Sequence, residues 1–175
     1  MNISIATEKH IKYAEIISET IKSSAQESDI GIALRTPEYL INKIKNKNAI
    51  ICTNKNEFVG FCYIEIWEHG NYVANSGLIV SPKYRGQGIA KKIKKKAFNY
   101  SKKKYPNTKI FGITTSLPVM KINDSLGYKP VTFSELTRDD DFWKGCRTCK
   151  NYKILKSNQR KLCLCTGMVY NPNKK

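Results

Sequence analysis

One segment, "YVANSGLIVSPKYRGQGIAKKIKKK" from Tyr72 to Lys96, restricts the fold more than any other part of the chain. It reads as a strand, a bare glycine turn and a long helix-favouring run, in that order. Gly86 and Gly88 lack a Cβ, so the backbone there bends sharply and comes close to a ligand. The first N–H groups of the following helix have no internal partner, and the aligned peptide dipoles add roughly half a positive charge at that end. A pyrophosphate is the natural guest, and the small Ala90 lets the helix begin close to it. Two dedicated phosphate loops are excluded by spacing. No Ser or Thr follows Lys91 as a P-loop requires, and Lys91 stands where a dinucleotide fingerprint has its third glycine.

The flanking sequence supplies the other elements. "ISIAT" reads as a short strand. Ile11, Ala14, Ile17 and Ile21 recur at helical steps from Glu8 to about Glu27, with Thr7 as a cap. "TPEYLINKIKNKN" starts a second helix with Thr36 as N-cap and Pro37 at the first helical position. "NAIICTNKNEFVGFCYIEIW" is a hairpin turning at Asn54-Lys55-Asn56. After the helix closed by Pro106, "TKIFGITTS" is a strand and "PVMKINDSLG" a helix stopped by Gly127. "YKPVTFSEL" is a final strand. The order β-α-α-β-β-β-α-β-α-β predicts an α/β (α+β) fold, a mixed and mostly antiparallel sheet flanked by helices. The texture changes after about Thr137, so residues 1–136 form the expected main domain and 137–175 a Cys-rich extension.

A chain of 175 residues with 41% hydrophobic content holds a proper core. No apolar run approaches the roughly 20 residues of a membrane span. No signal-peptide h-region follows Met1, so a cytoplasmic address is expected. The net charge of +17 points to anionic partners. Cys52 and Cys62 sit in apolar strand-like runs and act as small hydrophobes. Cys146-x2-Cys149 and Cys163-x-Cys165, thirteen residues apart, have the spacing of a structural tetrahedral Zn²⁺ site, with an iron–sulfur cluster or unliganded thiols as alternatives.

The run "LIVSPKYRGQGIAKKI" resembles the acyl-CoA-binding motif Q/R-x-x-G-x-G/A of the GNAT N-acyltransferases, with Arg85, Gly88 and Ala90 in its fixed places. The likeness spans about Ile3 to Leu136. It implies that amides from Arg85 through Gly86, Gln87, Gly88 and Ile89 to Ala90 hold the CoA pyrophosphate. Backbone groups of Leu78 and Val80 would pair with the pantetheine arm, one amide there polarising the thioester carbonyl. Some of Lys91, Lys92 and Lys94 to Lys96 would reach the 3′-phosphate. The family's second signature is broken: Ser116, Val119 and Asn123 replace the usual Asn, Ala and Tyr. Asn123 donates a hydrogen bond but cannot deliver the proton that the tyrosine commonly gives to the thiolate. Asn123 or Ser116 would then position the sulfur.

In "FCYIEIWEH", alternation places Phe61, Tyr63, Glu65 and Trp67 on one face. Glu65, an acid in an apolar strand where burial is expected to raise its pKa, is the candidate general base. His69, in an exposed turn, is a second candidate, and Asn75 and Ser76 are candidate substrate contacts. With two histidines and no Ser-His-Asp constellation, direct attack by an amine on the thioester is expected. The whole chain, tail included, also resembles GNAT enzymes linked to N-acetyl- or N-succinylglutamate formation in arginine biosynthesis of Bacteroidota. That resemblance implies acetyl-CoA or succinyl-CoA as co-substrate and a small anionic, amino-acid-like acceptor. Arg35, Lys83 and Arg138 are candidates to pair with its carboxylates. A homodimer is among the open assemblies. The competing readings are a nucleic-acid-binding module with a zinc knuckle, disfavoured because aromatics are not interleaved with the lysines, and an acyltransferase acting on protein lysines or N-termini.

Overall fold

The computed structural model describes residues 1–27 and 31–174. Strand β1 (Asn2–Ile5) leads into a 3-10 turn at Glu8–Tyr13 and helix α1 (Ala14–Glu27). Thr7 opens it in a capping box with His10, whose Nδ1 accepts from Thr7 N at 2.9 Å. Helix α2 (Pro37–Lys45) begins as its sequence predicts, Thr36 Oγ1 accepting from Tyr39 N at 3.3 Å with Pro37 in the first turn. The hairpin of β2 (Ala49–Asn54) and β3 (Glu57–Trp67) turns at Lys55, which takes a φ of 54°. Then follow β4 (Tyr72–Val80), α3 (Ile89–Lys104), β5 (Lys109–Thr114), α4 (Leu117–Ser125) and β6 (Lys129–Val131).

Helix α4 ends in a Schellman motif. Tyr128 N donates to Asn123 O at 3.1 Å and Gly127 N to Asp124 O at 2.8 Å, with Gly127 at φ +88° as the motif requires. The strand expected over Tyr128 to Leu136 is shorter than its composition suggests. Pro130 offers no N–H to a ladder, and Thr132 with Glu135 caps a 3-10 turn at Phe133–Glu135 instead.

The strands form one sheet in the order β1-β2-β3-β4-β5-β7-β6, in which β4 and β5 are the parallel pair. The seventh strand, β7 (Thr166–Tyr170), went unread in the sequence. It lies between β5 and β6 and pairs antiparallel with both. The stretch after Thr137 thus returns to the main sheet after two short helices, α5 (Asp140–Lys144) and α6 (Tyr152–Ser157).

Two apolar layers sandwich the sheet. On one face Ile17 and Ile21 of α1 and Leu40 and Ile44 of α2 pack on Ile51, Phe61 and Tyr63. On the other, Ile89, Ile93 and Ala97 of α3 pack on Ile50, Cys52, Val59 and Cys62. Burial on both faces explains the near-continuous apolar run of β2 and β3, and Cys52 and Cys62 fill core space as expected.

Candidate active site

Strands β4 and β5 pair at three positions, Tyr72–Lys109, Val73–Ile110 and Ala74–Phe111, and then part. From Asn75 onward β4 keeps only its β3 neighbour, so its other edge is open to an extended ligand. The divergence is set by a bulge. Phe61 faces Ile79 and Tyr63 faces Ser76, so β4 takes one more step than β3 over that interval. The extra residue is accommodated at Gly77, whose φ is +61°. A Cβ there would lie 2.3 Å from Cε1 of Tyr63, so both conformation and contact demand glycine.

The far end of β4 runs into the glycine turn. Gly86 and Gly88 have φ of +79° and +72°, and a Cβ added to either would meet nothing within 4 Å. The turn therefore presents bare backbone to open space at the mouth of α3. Arg85 does not reach across it: its Nε donates to Val80 O at 3.2 Å and its Nη2 to Ser24 Oγ at 3.1 Å. Lys91, Lys92, Lys95 and Lys96 are exposed on the first turns of α3. Lys94 is not. It is 2% exposed and turned into the core, so it stands apart from the group expected near a 3′-phosphate. It belongs to the buried stripe that continues through Phe98 and Ser101, at helical spacings the sequence already displays.

Where the strands part, a cavity of about 180 Å³ opens. Gly112 lines it, and so do Lys94 of α3 and Asn123 of α4. A Cβ on Gly112 would lie 3.6 Å from Asn75 O, 3.7 Å from Lys94 Nζ and 3.9 Å from Asn123 Nδ2. Ser116, at the N-cap of α4, also lines the space, as do Leu78 and Val119. Asn123 is 1% exposed and its Oδ1 has no hydrogen-bond partner among the described residues; the Nδ2 of Asn151, on the same cavity, is in the same state. Buried polar atoms are nearly always partnered in folded chains, so orphans on a cavity wall mark a place for a ligand. Ser76 lines the cavity. Asn75 lines it too, with its side chain held by neighbours: Nδ2 donates to Ser101 Oγ at 2.8 Å and Oδ1 accepts from Tyr128 at 3.2 Å.

A second space of about 300 Å³ adjoins the first and shares Arg35, Glu65 and Phe142 with it. Glu65 does not stand alone in its apolar strand. Its Oε1 accepts from Lys43 Nζ at 2.8 Å and from the Tyr39 hydroxyl. Arg35 donates to Tyr63 Oη at 2.9 Å and to Gly145 O at 3.0 Å, and its guanidinium lies over the Tyr39 ring, 5.1 Å from the centroid. Burial raises the Tyr63 hydroxyl to about 12 and the Tyr39 hydroxyl further, so both rings serve as neutral donors and acceptors. Lys83 and Arg138 lie elsewhere: Lys83 pairs with Glu57 at 3.0 Å on the surface, and Arg138 is exposed. His69 is exposed in its turn and does not line either space.

A family model for the acetyltransferase (GNAT) family matches residues 18–118, which cover β2 to β5, the bulge and the glycine turn. The chain belongs to the GNAT acetyltransferase family. Several solved structures share this acetyltransferase fold. N-acetylglutamate synthase from Neisseria gonorrhoeae, complexed with coenzyme A and N-acetyl-glutamate, superposes with a TM-score of 0.70 at 17% identity, over 99% of this chain. That match takes in 35% of the gonococcal chain, so the acetyltransferase here spans about a third of its length. A Mycobacterium tuberculosis protein in complex with CoA and NLQ gives 0.70 at 12% identity, covering 98% of this chain and 99% of the other. The Salmonella typhimurium protein yncA, with its cofactor acetyl-CoA, gives 0.67 at 11% identity, covering 100% and 95%. No curated protein is significantly similar in sequence.

The tail closes the acetyltransferase's cavity. Phe142, Tyr152 and Leu155 form one wall, with Cys146, Cys149, Cys163 and Cys165 beside them. The zinc site expected at these four thiols finds no support. Among the described residues no group of three or more His, Cys, Asp or Glu side chains is placed to hold a metal ion. Cys146, Cys163 and Cys165 instead pack against the cluster of Phe133, Phe142, Trp143 and Leu155. Burial, with the neighbouring Cys149, pushes the Cys146 thiol up to about 11, and burial with Cys163 raises Cys165 further. The four thiols thus stand close enough together to oppose one another's ionisation.

Proposed function

We propose that this chain moves an acetyl or succinyl group from acyl-CoA to the amine of a small acidic amino acid, with glutamate as the leading candidate. The observation that carries the reading is the parting of β4 from β5 between an exposed glycine turn and a cavity edged by a half-buried guanidinium. The turn suits a diphosphate. The freed edge of β4 around Leu78 and Val80 suits the amide-bearing pantetheine arm, and an N–H of the bulge stabilises the oxyanion. The thioester then lies at the apex near Gly112, Ser116 and Asn123.

Arg35 faces the adjoining space and is permanently charged, with a planar fork that matches a carboxylate. Of the three cations considered for that role, it alone lines the site. Glu65 receives both of its donors on Oε1, which leaves Oε2 to take a proton from the attacking amine directly or through water. The tail walls off solvent on the acceptor side. The acceptor class follows from Arg35 and the cavity, and the gonococcal synthase, complexed with N-acetyl-glutamate, supports it.

The test is an acceptor screen: acetyl-CoA and succinyl-CoA with a panel of amino acids, following CoA release. Dicarboxylic amino acids are expected to give the highest rates, and a preference for apolar or basic acceptors would overturn the reading. Arg35→Met should raise the acceptor KM by about 10- to 100-fold, the loss of one charge-assisted pair of about 1.5–3 kcal/mol. Its acyl-CoA Kd should not change.

A further inference from the structure

Among the described residues, Lys94 is a buried lysine that the reaction above leaves without a task. It is 2% exposed, yet its Nζ lines the cavity. That Nζ makes one hydrogen bond among the described residues, to Asn75 O at 2.9 Å, and an ammonium has three N–H groups to give. No carboxylate pairs with it there. The titratable groups that face it are Cys62 of β3 and Tyr128, whose ring centroid is 5.5 Å from Nζ. Burial pushes the Cys62 thiol up to about 11 and the Tyr128 hydroxyl well above its ordinary value, so both remain neutral. Burying an unpaired ammonium is costly, and a fold retains one where the charge is used. Lys94 Nζ and Asn123 Nδ2 share one end of the cavity, both within 4 Å of where a Cβ on Gly112 would lie.

Resting on the acyl-transfer reading, we propose that Lys94 is the proton donor to the departing CoA thiolate. The acceptor nitrogen bonds to the thioester carbonyl carbon, and the tetrahedral intermediate collapses with cleavage of the C–S bond. The electron pair of that bond goes to sulfur, and an Nζ proton passes to sulfur to give the CoA thiol. The proton shed by the acceptor nitrogen leaves through Glu65 or water, and neutral Lys94 is reprotonated from solvent. Burial lowers the Lys94 pKa, which brings it nearer that of a thiol and eases the transfer. The charged form is complete below that lowered pKa and is lost as pH rises through it, so the donor is lost on the basic side.

Two variants isolate the charge. Lys94→Gln keeps an N–H donor for Asn75 O, and Lys94→Met removes it. CoA and desulfo-CoA are bound to each protein, and the thiolate absorbance of CoA is titrated as the difference between the two complexes. In the wild-type complex the thiol should ionise about 1–3 pH units lower than in either variant, as expected for a cation within ~4–6 Å. With acetyl-CoA and the best acceptor from the screen, kcat of both variants should fall by about 10²–10⁴ while the CoA Kd holds within about threefold. Identical thiol titrations in wild type and variants, or a Lys94→Gln enzyme with wild-type kcat, would overturn the proposal. A wild-type chain that binds no CoA would instead overturn the acyl-transfer reading itself, which keeps the two failures apart.

Discussion

Replacing Gly88 by aspartate is expected to cost this acetyltransferase most of its affinity for acyl-CoA without unfolding it. Position 88 has a φ of +72° and open space around a notional Cβ. Asp and Asn enter that left-handed region more readily than other side chains, so the fold bears a modest strain only. The new carboxylate, however, lies in the turn proposed above to hold a diphosphate. At about 5 Å and an effective dielectric of about 20, each pair of like charges costs ~3 kcal/mol. The neutral Gly88→Asn carries the same strain and nearly the same shape. By calorimetry, the aspartate variant should bind CoA at least about 100-fold more weakly than the asparagine variant, a gap that narrows with salt. Equal affinities for the two would remove the diphosphate from the turn.

The second large effect is at the bulge. Gly77→Ala forces a left-handed φ on a residue with a Cβ, at roughly 1–2 kcal/mol. It also drives that Cβ to 2.3 Å from the Tyr63 ring, an overpacking of about 1–3 kcal/mol. Together these should lower Tm by roughly 5–15 °C in a chain of this size. Gly70→Ala is the control, since Gly70 has a φ of +98° with nothing within 4 Å of a Cβ. It shares the backbone strain without the collision. A melting temperature equal in the two alanine variants would show that the Tyr63 contact contributes nothing. Because Tyr63 also accepts from Arg35, acceptor KM should rise in Gly77→Ala and stay fixed in Gly70→Ala.

The glycine turn and the strand before it were legible in the sequence because their signals are local. Gly86, Gly88 and Ala90 are contiguous, and a strand-to-helix transition is written in periodicity. The core faces of β3 followed from simple alternation. The partners of Glu65 were not legible, since Lys43 and Tyr39 reach it from α2 across more than twenty residues and only the packing of α2 on the sheet brings them together. Lys94 carried a signal that was overridden. Its spacing to Phe98 and Ser101 puts it on the buried stripe, but in a run of five lysines it reads as one more solvated charge. Strand β7 was hidden by composition, the cysteines of "CLCTGMVY" suggesting a metal knuckle where Met168 and Val169 instead enter the sheet.

The place of β7 between β5 and β6 has a consequence for biogenesis. A nascent chain halted short of residue 166 leaves two exposed edges, one on β5 and one on β6, separated by the width of a missing strand. Neither can close on the other without abandoning its register. The β5–β6 half of the sheet therefore consolidates only after the ribosome has released the Thr166–Tyr170 segment, and a product truncated before it presents ready templates for intermolecular pairing.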